Sequence, residues 1–248
     1  MEPFISIVGA AARTKYWMET YNSIGENKVP FEVIFVGPEE PKFVLPENFK
    51  FIKSMVKPSQ CVEIASRSAK GNFLCHIGDD LIFKTKFPLD VLYKEYLSNE
   101  NENAIISCKN MENGVDYSGM GYFFPWEKSS PIVPYSGIMR TELYREIGGT
   151  DRNFIAVMHD LDVAMRVYEI GGTVIRSNVF LEEDKHKCTV EGVGMWQEYG
   201  ANFDRPLLES MWVLDKEKKI LSTKRIKKFE PFEDNELLTK TQGPKGRW

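Results

Sequence analysis

The feature that most constrains this chain is a succession of short apolar runs, each closed by a turn signal and separated by segments of helical spacing. Phe4 to Val8 reads as a buried strand, and Arg13 to Ile24, with Tyr16, Trp17, Thr20, Tyr21 and Ile24 near helical spacing, reads as a helix. Phe31 to Val36 is a second strand, ended by Gly37-Pro38, and Phe49 to Ser54 a third. After a turn at Pro58, Ser59 to Ala69 forms a helix that Gly71 closes, and Asn72 to Ile77 is a fourth strand that runs into Gly78-Asp79-Asp80. This order is that of an α/β fold: a mostly parallel sheet with helices on both faces.

The pattern continues with a helix over Pro88 to Leu97 and a strand over Ala104 to Cys108. From Lys109 to Pro134 it dissolves into Gly, Ser, Pro and aromatics, among them Tyr117, Tyr122, Phe123, Phe124 and Trp126, and loops of that length in a domain are usually functional. Ile138 to Met139 reads as a strand, Thr141 to Ile147 and Asp160 to Ile170 as helices stopped by paired glycines, and Thr173 to Ile175 and Val179 to Leu181 as two short strands. Beyond about Asp215 the chain turns Lys-rich, which divides it into a sheet domain over 1–214 and a tail over 215–248. Such a tail is a solvated charged face or a peripheral contact with anionic lipid.

Composition narrows the classes. With 36 acidic against 32 basic residues the formal charge is −4, so no nucleic-acid partner is expected. The 4 cysteines lie far apart without a CxxC pair, which suggests neither a disulfide framework nor a structural zinc site. The N-terminus lacks the basic start of a signal peptide, and no run reaches the roughly 18 apolar residues of a membrane span. A cytoplasmic protein is the expectation.

Two acidic sites stand out. Asp79 and Asp80 follow an apolar strand, and the carboxyl ends of strands are where open α/β sheets bind ligands. Adjacent carboxylates repel unless a positive charge is present, and hard oxygen donors suit magnesium or manganese; the plain alternative is a turn or helix cap. The second site is His159-Asp160-Leu161-Asp162, followed by Arg166. Asp162 and Arg166 are spaced to pair on one helix face. Asp160, at a helix start, can cap the helix or serve as a general base.

Phe4-Ile5-Ser6-Ile7-Val8, Glu32-Val33-Ile34-Phe35-Val36, Ala69-Lys70-Gly71 through Gly78-Asp79-Asp80, Ser136-Gly137-Ile138-Met139-Arg140, Ile147-Gly148-Gly149 and His159-Asp160-Leu161-Asp162 stand in an order that resembles the family 2 glycosyltransferases of the GT-A fold. The resemblance spans about residues 4 to 190 and implies a single-domain, metal-dependent, inverting transferase. It would carry a sugar from a nucleoside diphosphate, uridine being favoured, to a hydroxyl of a glycan, lipid or protein. In that reading Asp80 is the direct ligand of Mn2+ or Mg2+ and Asp79 touches ribose or metal. His186 lies where related enzymes place a His near the metal. Asp160 takes the place of the catalytic base.

The chain departs from the family pattern with Gly9-Ala10-Ala11-Ala12-Arg13 after the first strand and Gly37-Pro38-Glu39-Glu40 after the second, so Arg13 and Glu39 become candidate donor contacts. His159 replaces the usual acid before the base. Trp126, Gly137, His159 and Trp196 are candidate acceptor contacts, the aromatics because their faces stack on sugar rings or, equally, pack into a satellite core. Two other readings remain: a degenerate family member that binds nucleotide or glycan without turnover, and a polymerase palm, whose carboxylates hold two metals, which the acidic balance and short chain disfavour.

Overall fold

The computed structural model describes residues 2–112, 115–116, 136–183, 196–212, 214–215, 220–221, 224–233 and 238–239. Among these, strands β1 (Ile5–Ala10), β2 (Phe31–Gly37), β3 (Phe49–Lys53), β4 (Phe73–His76), β5 (Leu81–Phe83), β6 (Ala104–Glu112), β7 (Val115–Asp116), β8 (Gly137–Arg140) and β9 (Thr173–Glu183) form one sheet. Its order is β3-β2-β1-β4-β8-β6-β9-β5, with β7 paired to β6. Four ladders are parallel: β1 with β2 and β4, β2 with β3, and β6 with β9. β8 enters between β4 and β6 antiparallel to both. A further antiparallel pair joins β10 (Leu214–Asp215) and β11 (Ile220–Leu221).

The apolar runs of β1, β2 and β4 are continuous because both faces of the sheet are covered. Alternate residues go to opposite sides. Ile5, Ile7, Val33, Phe35, Phe73 and Cys75 meet Trp17 and Ile24 of α1 (Trp17–Ile24) and Leu89 and Leu92 of α3 (Pro88–Leu97). Val8, Ile34, Val36 and Leu74 meet α2 (Pro58–Ser68), α4 (Thr141–Glu146) and α5 (His159–Glu169) through Ala65, Leu143, Ala164 and Val167. A third cluster joins Phe154, Met158, Leu161 and Met165 to Leu208, Met211 and Trp212 of α6 (Arg205–Trp212).

Two expectations change. The two short strands expected at 173–175 and 179–181 are one strand of 11 residues. The polar stretch Arg176-Ser177-Asn178 does not interrupt it, because Glu95 of α3 accepts from the Ser177 hydroxyl and from the Asn178 backbone N–H at 3.0 Å. The ladder with β6 shifts register there, with three residues of β9 (Ser177 to Val179) standing against Cys108 alone between the Ser107–Arg176 and Lys109–Phe180 pairs. The described part of the basic tail is not a solvated face throughout. The Arg225 side chain is 5% exposed, and Phe232, 1% exposed, belongs to the core.

Candidate active site

Asp79 and Asp80 follow β4 at the sheet edge where β1 and β2 also end. Asp79 is 1% exposed, and its carboxylate is surrounded by donors. The Arg13 backbone N–H donates to Oδ2 at 2.6 Å, while Arg13 Nε and Nη2 donate to Oδ1 at 3.0 and 2.5 Å. Trp17 Nε1 donates to Oδ2 at 3.3 Å, and Thr20 Oγ1 donates to the Asp79 carbonyl at 3.0 Å. The Trp17 ring is locked among Phe35, Phe49 and Phe51. Asp79 therefore anchors the start of α1 to the end of β4.

Asp80 is also buried, and its Oδ2 pairs with Arg13 Nη1 at 2.6 Å. One guanidinium thus bridges both acids. Arg13, a candidate donor contact by its place after β1, sits directly on the acid pair. Glu39 lies exposed on the loop after β2.

Asp160 is the second residue of α5, and acids are favoured in a helix's first turn. It does not cap the helix: Met158 takes the N-cap position with a left-handed φ of 67°, and the Asp160 carboxylate accepts from the Leu161 N–H at 2.9 Å. The side chain is half-buried, and loss of hydration pushes its carboxyl up to about 7. Beside it, desolvation lowers His159 to about 4. His159 Nδ1 is buried without a hydrogen-bond partner among the described residues.

His159 also acts on His76, the last residue of β4. Burial, and then the charge His159 would carry, lower His76 to about 3. His76 Nε2 shares a hydrogen bond with Ser66 Oγ at 3.1 Å, and its ring meets Tyr144 edge-on at 5.2 Å. Both imidazoles are neutral at pH 7, so neither offers the positive charge that would hold Asp160 ionised. The effect of His159 on His76 places the end of β4 near the start of α5.

The segment before Asp160 is held from outside its own helix. Asp204, fully buried at the end of a π-helical stretch (Trp196–Asp204), accepts from three consecutive backbone N–H groups: Ile155 at 2.8 Å and Ala156 and Val157 at 2.9 Å each. Ser59 donates its backbone N–H to the Ile155 carbonyl at 3.1 Å. These bonds fix the chain that enters α5 through the strained Met158. Asp162 and Arg166 pair at 2.9 Å as their spacing indicates, and the pair is buried rather than solvated. They join a network in which Arg225 donates to Asp162 and to Asp151 at 2.5 Å each, and Trp212 Nε1 to Asp162 at 2.9 Å.

Gly137 begins β8 opposite His76. A Cβ there would lie 2.1 Å from the Ile106 carbonyl oxygen, so glycine is required by the approach of β6. His159 stands next to Asp160. Trp126 and His186 lie outside the described residues, as does the side chain of Trp196, whose backbone begins the π-helical stretch. Sequence reasoning missed His76, Trp17 and Asp204. Trp17 was visible only as an apolar helix position, and nothing near Asp204 in the chain signals its distant backbone partners.

No protein-family model matches the sequence, and no curated protein does. Solved structures are similar to it. The mannosyltransferase PcManGT from Pyrobaculum calidifontis, in complex with GDP-Man and Mn2+, matches with a TM-score of 0.55 and 14% identity, over 74% of this chain and 57% of that one. TarS 1-349 from S. aureus in complex with UDP-GlcNAc matches with a TM-score of 0.52 and 16% identity, over 73% and 58%. A second structure of TarS 1-349 gives 0.50 and 14% over the same shares. The chain spans less than three fifths of the length of these structures. At such identity the likeness is one of fold, and the fold is that of the GT-A nucleotide-diphospho-sugar transferases.

Proposed function

We propose that this chain is an inverting glycosyltransferase that moves a sugar from a nucleoside diphosphate, UDP or GDP, to a hydroxyl of a glycan, lipid or protein. The observation that carries the reading is Asp160 at the start of α5, next to His159, with a carboxyl raised to about 7 by burial. A general base works best with a value near the working pH, and Asp160 has one. It takes the acceptor hydroxyl's proton as that oxygen attacks the anomeric carbon. The new bond to the acceptor oxygen forms as the bond from the anomeric carbon to the diphosphate oxygen breaks, and the diphosphate leaves with the electron pair.

The residues fit a divalent cation of the magnesium or manganese kind in one respect. Such ions are commonly held by one or two carboxylates plus substrate phosphates rather than by an all-protein cage. Asp80 offers that carboxylate, and no cluster of three or more ligating side chains occurs among the described residues. When bound, the cation would offset the charge gathering on the leaving diphosphate. The similar structures hold UDP-GlcNAc, or GDP-Man with Mn2+, which supports a donor of that class here.

The test is a thermal-shift screen of UDP-, GDP-, CMP- and dTDP-linked sugars with and without Mn2+, followed by a donor-hydrolysis assay. A ligand at a hundred times its Kd stabilises the folded state by about 2.7 kcal/mol. A shift with one nucleotide class, together with hydrolysis lost in Asp160→Ala, supports the transferase. Binding with no turnover under any condition supports the binding module instead, and no shift at all refutes both.

A further inference from the structure

The acid pair carries its own cation. Arg13 Nη2 lies 2.5 Å from Asp79 Oδ1 and Nη1 2.6 Å from Asp80 Oδ2, so a single guanidinium spans the two carboxylates. Asp79 receives the Arg13 backbone N–H, Nε and Nη2 as well as Trp17 Nε1. Asp80 pairs with Arg13 through Nη1. The acids' side chains are 2% and 5% exposed while that of Arg13 is 26% exposed, so the guanidinium is the solvent-facing member of the triad.

We propose that Arg13 is a resident counter-cation of the donor site: it holds Asp79 permanently, and holds Asp80 until a divalent cation and a diphosphate arrive together. This rests on the donor-site reading given above. The physical reason is competition for one carboxylate. A divalent cation that approaches alone must displace the charge-assisted bond from Nη1 to Asp80 Oδ2. A diphosphate that approaches with the cation supplies new acceptor oxygens for that same Nη1, in the bidentate manner to which guanidinium is suited. Cation and nucleotide should therefore bind together far better than either alone. The bond from Arg13 to Asp79 keeps the guanidinium in place throughout.

The experiment is calorimetric titration of Mn2+ alone, and of Mn2+ in the presence of UDP or GDP, into the wild type and Arg13→Gln. The expected result is that Arg13→Gln binds Mn2+ alone at least about tenfold more tightly than the wild type, the size of one charge-assisted hydrogen bond lost from the competition. The enhancement of Mn2+ affinity by nucleotide should shrink in the variant. Equal or weaker binding of Mn2+ alone by a folded Arg13→Gln, with nucleotide binding retained, overturns the proposal. Arg13→Lys decides the matter if Arg13→Gln fails to fold. An ammonium offers one nitrogen where the guanidinium sets a separate one on each acid, so this variant should also bind Mn2+ more tightly than the wild type, and wild-type affinity would overturn the proposal. Failure of the wild type to bind Mn2+ even with UDP and GDP overturns the donor-site reading itself.

Discussion

Replacing Asp160 with Asn should stabilise the protein while abolishing turnover, and both effects should follow the same titration. In the folded chain the carboxyl is raised from 3.8 to about 7 by desolvation. Between those values the folded state keeps a proton that the unfolded state has lost, so stability falls as pH rises through this window and levels off above about 7. The full shift corresponds to about 4 kcal/mol, at about 1.4 kcal/mol for each unit. Partial exposure screens the group, so roughly half of that is a fairer expectation. Asp160→Asn cannot ionise in either state and escapes the loss. Urea denaturation should show variant and wild type close near pH 4, with the variant ahead by about 2 kcal/mol at pH 8. Wild-type kcat/KM should rise tenfold per pH unit up to about 7 and then level off, as expected of a base that must be ionised. A stability gap that does not change between pH 5 and pH 8, or a kcat/KM flat through 7, refutes the assignment.

Three other substitutions probe the scaffold. Arg225→Ala leaves Asp151 and Asp162 buried without the guanidinium that bridges them, and should cost about 3–5 kcal/mol by urea denaturation; a loss below about 1 kcal/mol would show the tail to be dispensable. Gly149→Ala places a Cβ 2.6 Å from Glu63 Oε2 at a φ of +74°, and should lower stability by more than about 2 kcal/mol through the displaced carboxylate. Asp204→Asn puts an amide donor against one of three backbone N–H groups. It should lower kcat while leaving donor Kd unchanged, because only the entry to α5 loosens; an equal loss in donor affinity would contradict that local role.

The strands around the acid pair were legible because both sheet faces are covered, which makes β1, β2 and β4 read as unbroken apolar runs. Pro88 and Leu97 bound α3 as the sequence indicates, since proline favours a helix's first turn. What escaped the sequence depends on partners distant in the chain. Ser177 and Asn178 look like a strand break until Glu95 satisfies them across the fold. Arg225 looks like one charge among many in a basic tail, yet it lies between two acids more than 60 residues upstream. Both acidic sites were visible as motifs. The guanidinium across Asp79 and Asp80 was not, because Arg13 is 66 residues from Asp79 and only the β1–β4 pairing brings them together.

The proposed division of labour places Asp80 with the donor and Asp160 with the acceptor. Its most direct test is calorimetric titration of the preferred nucleotide sugar with Mn2+ into Asp80→Ala and Asp160→Ala, read against turnover of the same preparations. Asp160→Ala should bind donor with wild-type affinity and turn none over, while Asp80→Ala should lose donor affinity by at least about tenfold. Full donor affinity in Asp80→Ala, or retained turnover in Asp160→Ala, would contradict it.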